Sequence, residues 1–70
     1  MIVEYDEKTD LLYIRLNASR QTLVNKRVSD DIVLDIGEDE KIIGIEITDA
    51  SRRVQLSGLL PVNFTFKKAG

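Results

Sequence analysis

Seventy residues carrying ten Lys/Arg and twelve Asp/Glu make a small, mildly acidic chain of net charge −2. Cysteine and histidine are both absent, which removes disulfides, thiolate chemistry and the usual zinc-binding sets. A chain this short buries only roughly 60% of the surface its unfolded form exposes, so its core is marginal and a second subunit is the expected supplement. One domain is expected over residues 1–70. The charge is unevenly placed: residues 1–48 carry eleven acids against six bases, and residues 49–70 one acid against four bases. No apolar run approaches the ~18–20 residues that span a bilayer, and the amino terminus is acidic where a signal peptide would be basic. A soluble, cytoplasmic protein with no membrane partner is expected.

Alternation of period two dominates the first half of the chain. Met1, Val3 and Tyr5 share one side of a strand, and Leu12, Ile14 and Leu16 continue that side in the next. Glu7-Lys8-Thr9-Asp10 makes the turn between them, since Asp and Thr bond nearby backbone groups. Pairing Tyr5 with Leu12 puts Val3 opposite Ile14 and gathers the large side chains on one face. The same unit recurs at an offset of 31 residues, with Tyr5 matching Ile36, Glu7 matching Glu38 and Leu12 matching Ile43. Pairing Ile36 with Ile43 then puts Leu34 opposite Ile45 and Ile32 opposite Ile47. Gly44 falls opposite Asp35 on the other face, where a strand glycine marks a bulge or a close approach. Asn17 to Gln21 reads as a loop, Thr22 to Val28 as a further strand, and Ser29-Asp30-Asp31 as a turn.

Asp49 changes the pattern. It is a good N-cap, and Ala50 to Leu56 run without a breaker to Gly58, predicting one short helix near residues 49–57 with Ala50 and Val54 inward and both arginines outward. Leu59-Leu60-Pro61 is extended, because proline biases its predecessor away from helix. Val62, Phe64 and Phe66 alternate with Asn63, Thr65 and Lys67, predicting a C-terminal strand. The fold class is therefore α+β: a small antiparallel sheet from two related β-hairpins with one short helix. The core occupies residues 1–58, and 59–70 form a tail that adds a strand to its own sheet or to another chain's.

Two blocks go beyond generic alternation. Glu4-Tyr5-Asp6 with Asp10-Leu11-Leu12-Tyr13-Ile14-Arg15-Leu16, and Val33-Leu34-Asp35-Ile36 with Ile43-Gly44-Ile45-Glu46-Ile47-Thr48-Asp49-Ala50-Ser51, together resemble the small prokaryotic family called domain of unknown function 2283. The resemblance covers residues 3 to about 54. It implies a small sheet with one helix, of unestablished biochemistry, whose members look like accessory partners in toxin–antitoxin-like gene pairs. It carries no catalytic residues across. This chain departs from the pattern at Gly37 and Glu40, where the family tends to have Asp and Gly, so a different hairpin turn is expected here.

The candidate sites are few. Glu4, Asp35 and Glu46 lie on the mixed face with Arg15, where paired carboxylates could serve acid–base work or bind a cation; solvated ion pairs account for them as well. Glu38-Asp39-Glu40 has strands rather than helices around it and reads as a hairpin turn, not a calcium loop. Lys26, Arg27, Arg52 and Arg53 are candidate phosphate contacts, with Lys67-Lys68 a third basic pair, yet net acidity and the scarcity of free aromatics argue against nucleic acid. Ile2, Leu11, Tyr13, Val33 and Ile42 leave the second sheet face apolar, more than one short helix covers. Tyr13, Val33, Ile42, Leu60, Val62, Phe64 and Phe66 are accordingly the expected partner or dimer interface. The leading expectation is a non-enzymatic protein–protein interaction module, a homodimer that acts in an antitoxin-like way by binding a protein partner encoded nearby. A weak nucleic-acid binder is the alternative. An enzyme ranks third, and neither cofactor nor metal is expected.

Overall fold

A computed structural model describes residues 1–17 and 23–67. Five strands, β1 (Ile2–Asp6), β2 (Leu11–Arg15), β3 (Val24–Arg27), β4 (Ile32–Ile36) and β5 (Ile42–Ile47), form one antiparallel sheet in the order β1-β2-β5-β4-β3. Helix α1 (Ala50–Arg53) and two single 3₁₀ turns, Glu38–Glu40 and Leu56–Gly58, complete the regular structure. The result is a small α+β fold. The expected loop over 17–21 lies, Asn17 apart, outside the described residues. So does Thr22, and the third strand is the shorter Val24–Arg27.

Strand register follows the alternation of large β-branched and aliphatic side chains. Tyr5 pairs with Leu12 and Val3 with Ile14. Leu34 pairs with Ile45, Ile32 with Ile47 and Asp35 with Gly44. Across the middle of the sheet Ile14 meets Ile45, with Tyr13 opposite Glu46 and Arg15 opposite Gly44.

Ile36 departs from expectation: it pairs with Ile42, not Ile43. The cause is the turn. Asp39 and Glu40 both have positive φ, 58° and 59°, the pair that a tight type I′ reversal demands. The Lys41 amide donates to the Glu38 carbonyl at 3.2 Å, and the Gly37 amide to the Lys41 carbonyl at 2.8 Å. That reversal is shorter than the one expected, so β5 holds one residue more than β4 can match and Ile43 becomes the extra residue of a β-bulge. The displaced carbonyls are not left open. Ile43 accepts from the Leu16 amide at 2.8 Å, and Ile42 from the Asn17 side-chain amide at 2.8 Å.

The helix is also shorter than expected. Val54 is already extended at φ −131°, ψ 141°, and residues 56–58 make only a 3₁₀ turn. A four-residue helix has too few internal bonds to sustain itself, so packing sets where it stops. Ending it at Arg53 lets Val54, Leu56 and Leu59 settle half-buried while both arginines stay exposed.

Only Leu12, Ile43 and Ala50 are fully buried apolar residues among those described. Of the rest of the intended core face, Val3, Ile14, Ile32, Leu34, Ile36, Ile45 and Ile47 are half-buried, and Met1, Tyr5 and Leu16 are exposed. A sheet normally buries one face against a second layer, and among the described residues α1 and one 3₁₀ turn are the regular elements outside the sheet's strands and the β4–β5 turn. The expected C-terminal strand is not present within this chain: residues 62–67 belong to no regular element. Among the described residues no strand pairs with them.

Candidate functional site

Four features could carry function, and each is built from the strands upward. The first crosses the outer face of the sheet. Register sets Tyr13, Glu46 and Val33 in one row and Arg15, Gly44 and Asp35 in the next. Tyr13 leans diagonally across the glycine, and its hydroxyl donates to Asp35 Oδ2 at 3.0 Å. A Cβ at position 44 would lie 2.6 Å from Tyr13 Cζ, inside any tolerable contact. The close approach that the glycine permits is therefore that of a side chain. Arg15 places its guanidinium 6.0 Å from the same ring, at the outer limit of a cation–π contact. Burial first, and then the bond to Asp35, push the Tyr13 phenol above its ordinary pKa. Asp35 and Glu46 stand diagonally apart, as the register requires, and Asp35 is engaged by the phenol.

The second feature joins the first turn to the helix. Asp10 takes positive φ, 54°, which aims its carboxylate and carbonyl at the start of α1. The Ala50 amide donates to the Asp10 carbonyl at 3.0 Å. Asp10 Oδ1 accepts from the Ser51 amide at 3.0 Å and from the Tyr5 hydroxyl at 2.7 Å, and Oδ2 from the Ser51 hydroxyl at 2.6 Å. The cap of α1 is thus supplied 41 residues away in sequence. Asp49, the expected N-cap, is left-handed at φ 50° and makes no side-chain cap bond. Its backbone bends the wrong way for capping, and Asp10 occupies the amides instead. The Ser51 hydroxyl, then Tyr5, hold the Asp10 carboxyl below its usual range, and the same bond pushes the Tyr5 phenol up to about 12. Sequence reading placed Asp10 in a turn and Ser51 in a helix without joining them. Their joint presence in the family pattern was the available signal.

The third feature is basic. Arg27 donates to the carbonyls of Ser29 at 3.4 Å and Asp30 at 2.8 Å, and Arg53 forms an ion pair with Asp31. Arg52 and Arg53 line a depression of about 290 Å³ together with Asp31 and Asp49. Two of the four candidate phosphate contacts are thus occupied in holding the Ser29–Asp31 turn. Lys26 and Arg52 are exposed. Lys68 lies outside the described residues.

The fourth is apolar. Leu56, Leu59 and Leu60 line a depression of about 240 Å³ with Val3, Tyr5 and Leu12, on the intended core face. Tyr13 and Val33 belong to the opposite face. The expected interface set is therefore split between the two sides of the sheet, with Ile42 exposed at the bulge. Beyond Pro61 the chain carries Val62, Phe64 and Phe66 into solvent, the two phenylalanines at 85% and 78% exposure.

No group of three or more His, Cys, Asp or Glu that could hold a metal occurs among the described residues. None of their helices is long and apolar enough to cross a membrane. A single thin sheet with one short helix capped from its first turn defines the class, a small α+β domain. The chain belongs to the family described as protein of unknown function (DUF2283), whose model matches residues 2–51. Neither a curated protein nor a solved structure matches it. The family match stops within α1, so the apolar tail lies beyond it.

Proposed function

We propose that this chain is a non-enzymatic protein–protein interaction module, a cytoplasmic homodimer that binds a partner protein in an antitoxin-like role. The observation that carries the binding reading is uncovered apolar surface. Among the described residues Val24, Val28, Leu60, Phe64 and Phe66 are each more than half exposed, and exposed apolar surface of this kind marks interaction sites. The antitoxin-like part rests on the family resemblance alone. We also read the sheet as two related hairpins: β1–β2 and β4–β5 keep the 31-residue equivalence in register until the bulge, and Ile14 and Ile45, equivalent residues, face each other at its centre.

The nucleic-acid alternative has less support, since Arg27 and Arg53 are engaged within the chain. Co-expression with the product of the adjacent gene tests the proposal. A complex of fixed stoichiometry that survives high salt is the expected result. No such complex, with a salt-sensitive shift on mixed DNA or RNA, would replace it with the alternative.

A further inference from the structure

We propose that residues 62–66 of one copy add as an edge strand to β1 of a second copy, so that two chains exchange C-terminal segments. This deepens the homodimer reading above and rests on it.

The segment has a strand's sequence without a strand's partner. Val62, Phe64 and Phe66 alternate with Asn63, Thr65 and Lys67, a pattern that suits a pleated, half-buried surface. All of them are exposed. At ~3.3 Å per residue, five residues span about 17 Å, the length of the five-residue β1.

The sheet offers two open edges, β1 and β3. Successive side chains alternate between faces, so a strand added to β1 with Val62, Phe64 and Phe66 on the side of Val3 and Tyr5 sets Lys67 on the side of Glu4 and Asp6. Apolar and ionic matches are then met together. At β3 the same addition places the phenylalanines beside Val24 and Lys26 and sets Lys67 on the side of Asn25 and Arg27, the latter a like-charge neighbour. Charge selects β1.

The donor belongs to another copy for a reason of area. Folding the tail onto its own β1 closes an edge and leaves Ile14, Leu34, Ile45 and their neighbours as open as before. Exchange brings a second sheet to that face, where Leu56, Leu59 and Leu60 already begin a covering layer over Val3 and Leu12.

The chain has no native cysteine, which makes cross-linking clean. A Glu4→Cys chain is mixed with a differently tagged Thr65→Cys chain and treated with a short bis-maleimide. Cross-links between unlike tags in excess over those between like tags are expected. In the Glu4→Cys/Thr65→Cys double variant, closure at monomer mass would show the tail on its own edge and overturn the exchange. Phe64→Ser/Phe66→Ser, at positions mostly exposed in the monomer, should leave the circular dichroism unchanged and weaken the dimer more than about a hundredfold. Lys67→Glu and Glu4→Lys should each weaken it about tenfold across the two symmetric contacts, with recovery when combined. Full association in the phenylalanine variant, or no recovery in the charge swap, contradicts the proposal. A chain that is monomeric yet still holds the adjacent gene's product loses this inference and keeps partner binding. A cross-linked dimer that holds no such product does the reverse.

Discussion

Residues 2–54 and residues 55–67 differ in how completely the chain answers its own demands. In the first region the polar groups that matter are met within the chain. Asp10 caps α1 from the far end of the sequence, Tyr13 spans Gly44 to reach Asp35, and Asn17 closes the bulge. In the second, Leu56 and Leu59 reach the sheet, but from Val62 on the large apolar side chains alternate as a strand should and stand exposed. The lesson is that local completeness and coverage are separate achievements: the sheet is well specified and still lacks its second layer. Changes in residues 2–54 should therefore alter stability, and changes in residues 62–67 should alter association.

The largest separation is expected from the pair Phe64→Ser/Phe66→Ser and Asp10→Ala. The first removes the dimer and leaves monomer unfolding where it was. The second strips the acceptor from Ser51 and Tyr5 and should lower the thermal midpoint more than any other single change in the sheet. Comparable losses of association from Asp10→Ala at temperatures where it remains folded would blur the division. Gly44→Ala comes next, at about 1–3 kcal/mol, because Tyr13 must leave its place or the strands must part; urea unfolding measures it. Glu40→Gly should stabilise by ~1 kcal/mol, since Glu40 holds a left-handed backbone that costs a side-chain-bearing residue about that much. A loss on that substitution would mean the turn is held by its glutamate side chain.

The smallest effect is in pH. The Asp10 carboxyl is depressed in the fold, so its contribution is present above the ordinary carboxylate pKa near 3.8 and is lost as pH falls below it. The Tyr5 phenol is raised from 10.0 to about 12, so its contribution is complete below pH 10 and declines as pH climbs toward 12. Denaturant midpoints should fall on both sides of a neutral plateau. Tyr5→Phe should flatten part of the alkaline limb, leaving the share of Tyr13, and Asp10→Asn the acid one. Unchanged limbs in both variants would show that other groups set them.

How much of this was readable in advance follows from where each partner lies. The β1–β2 register was legible because alternation and a four-residue turn use only neighbouring residues. The other pairing was legible as far as Asp35–Gly44 and not at Ile36, because positive φ at Asp39 and Glu40 is a backbone state those residue types do not advertise; the missing family glycine at 40 was the one sign of it. Helix α1 was visible and its length was not, since so short a helix has too few internal bonds to set its own end and Val54 turns extended. Gly44 announced a close approach without naming Tyr13. The Asp10–Ser51 link stayed hidden because its halves are 41 residues apart and each looks ordinary alone. The tail's alternation was plain, but a strand is completed by a neighbour, and alternation alone does not say whether that neighbour lies in this chain or in another.

Sedimentation equilibrium of the full chain at tens of micromolar tests the central claim, that the uncovered surface meets another copy. A mass twice that of the 7.9 kDa chain, reverting to one chain for Phe64→Ser/Phe66→Ser, is the predicted result. A single-chain mass at every concentration would contradict it.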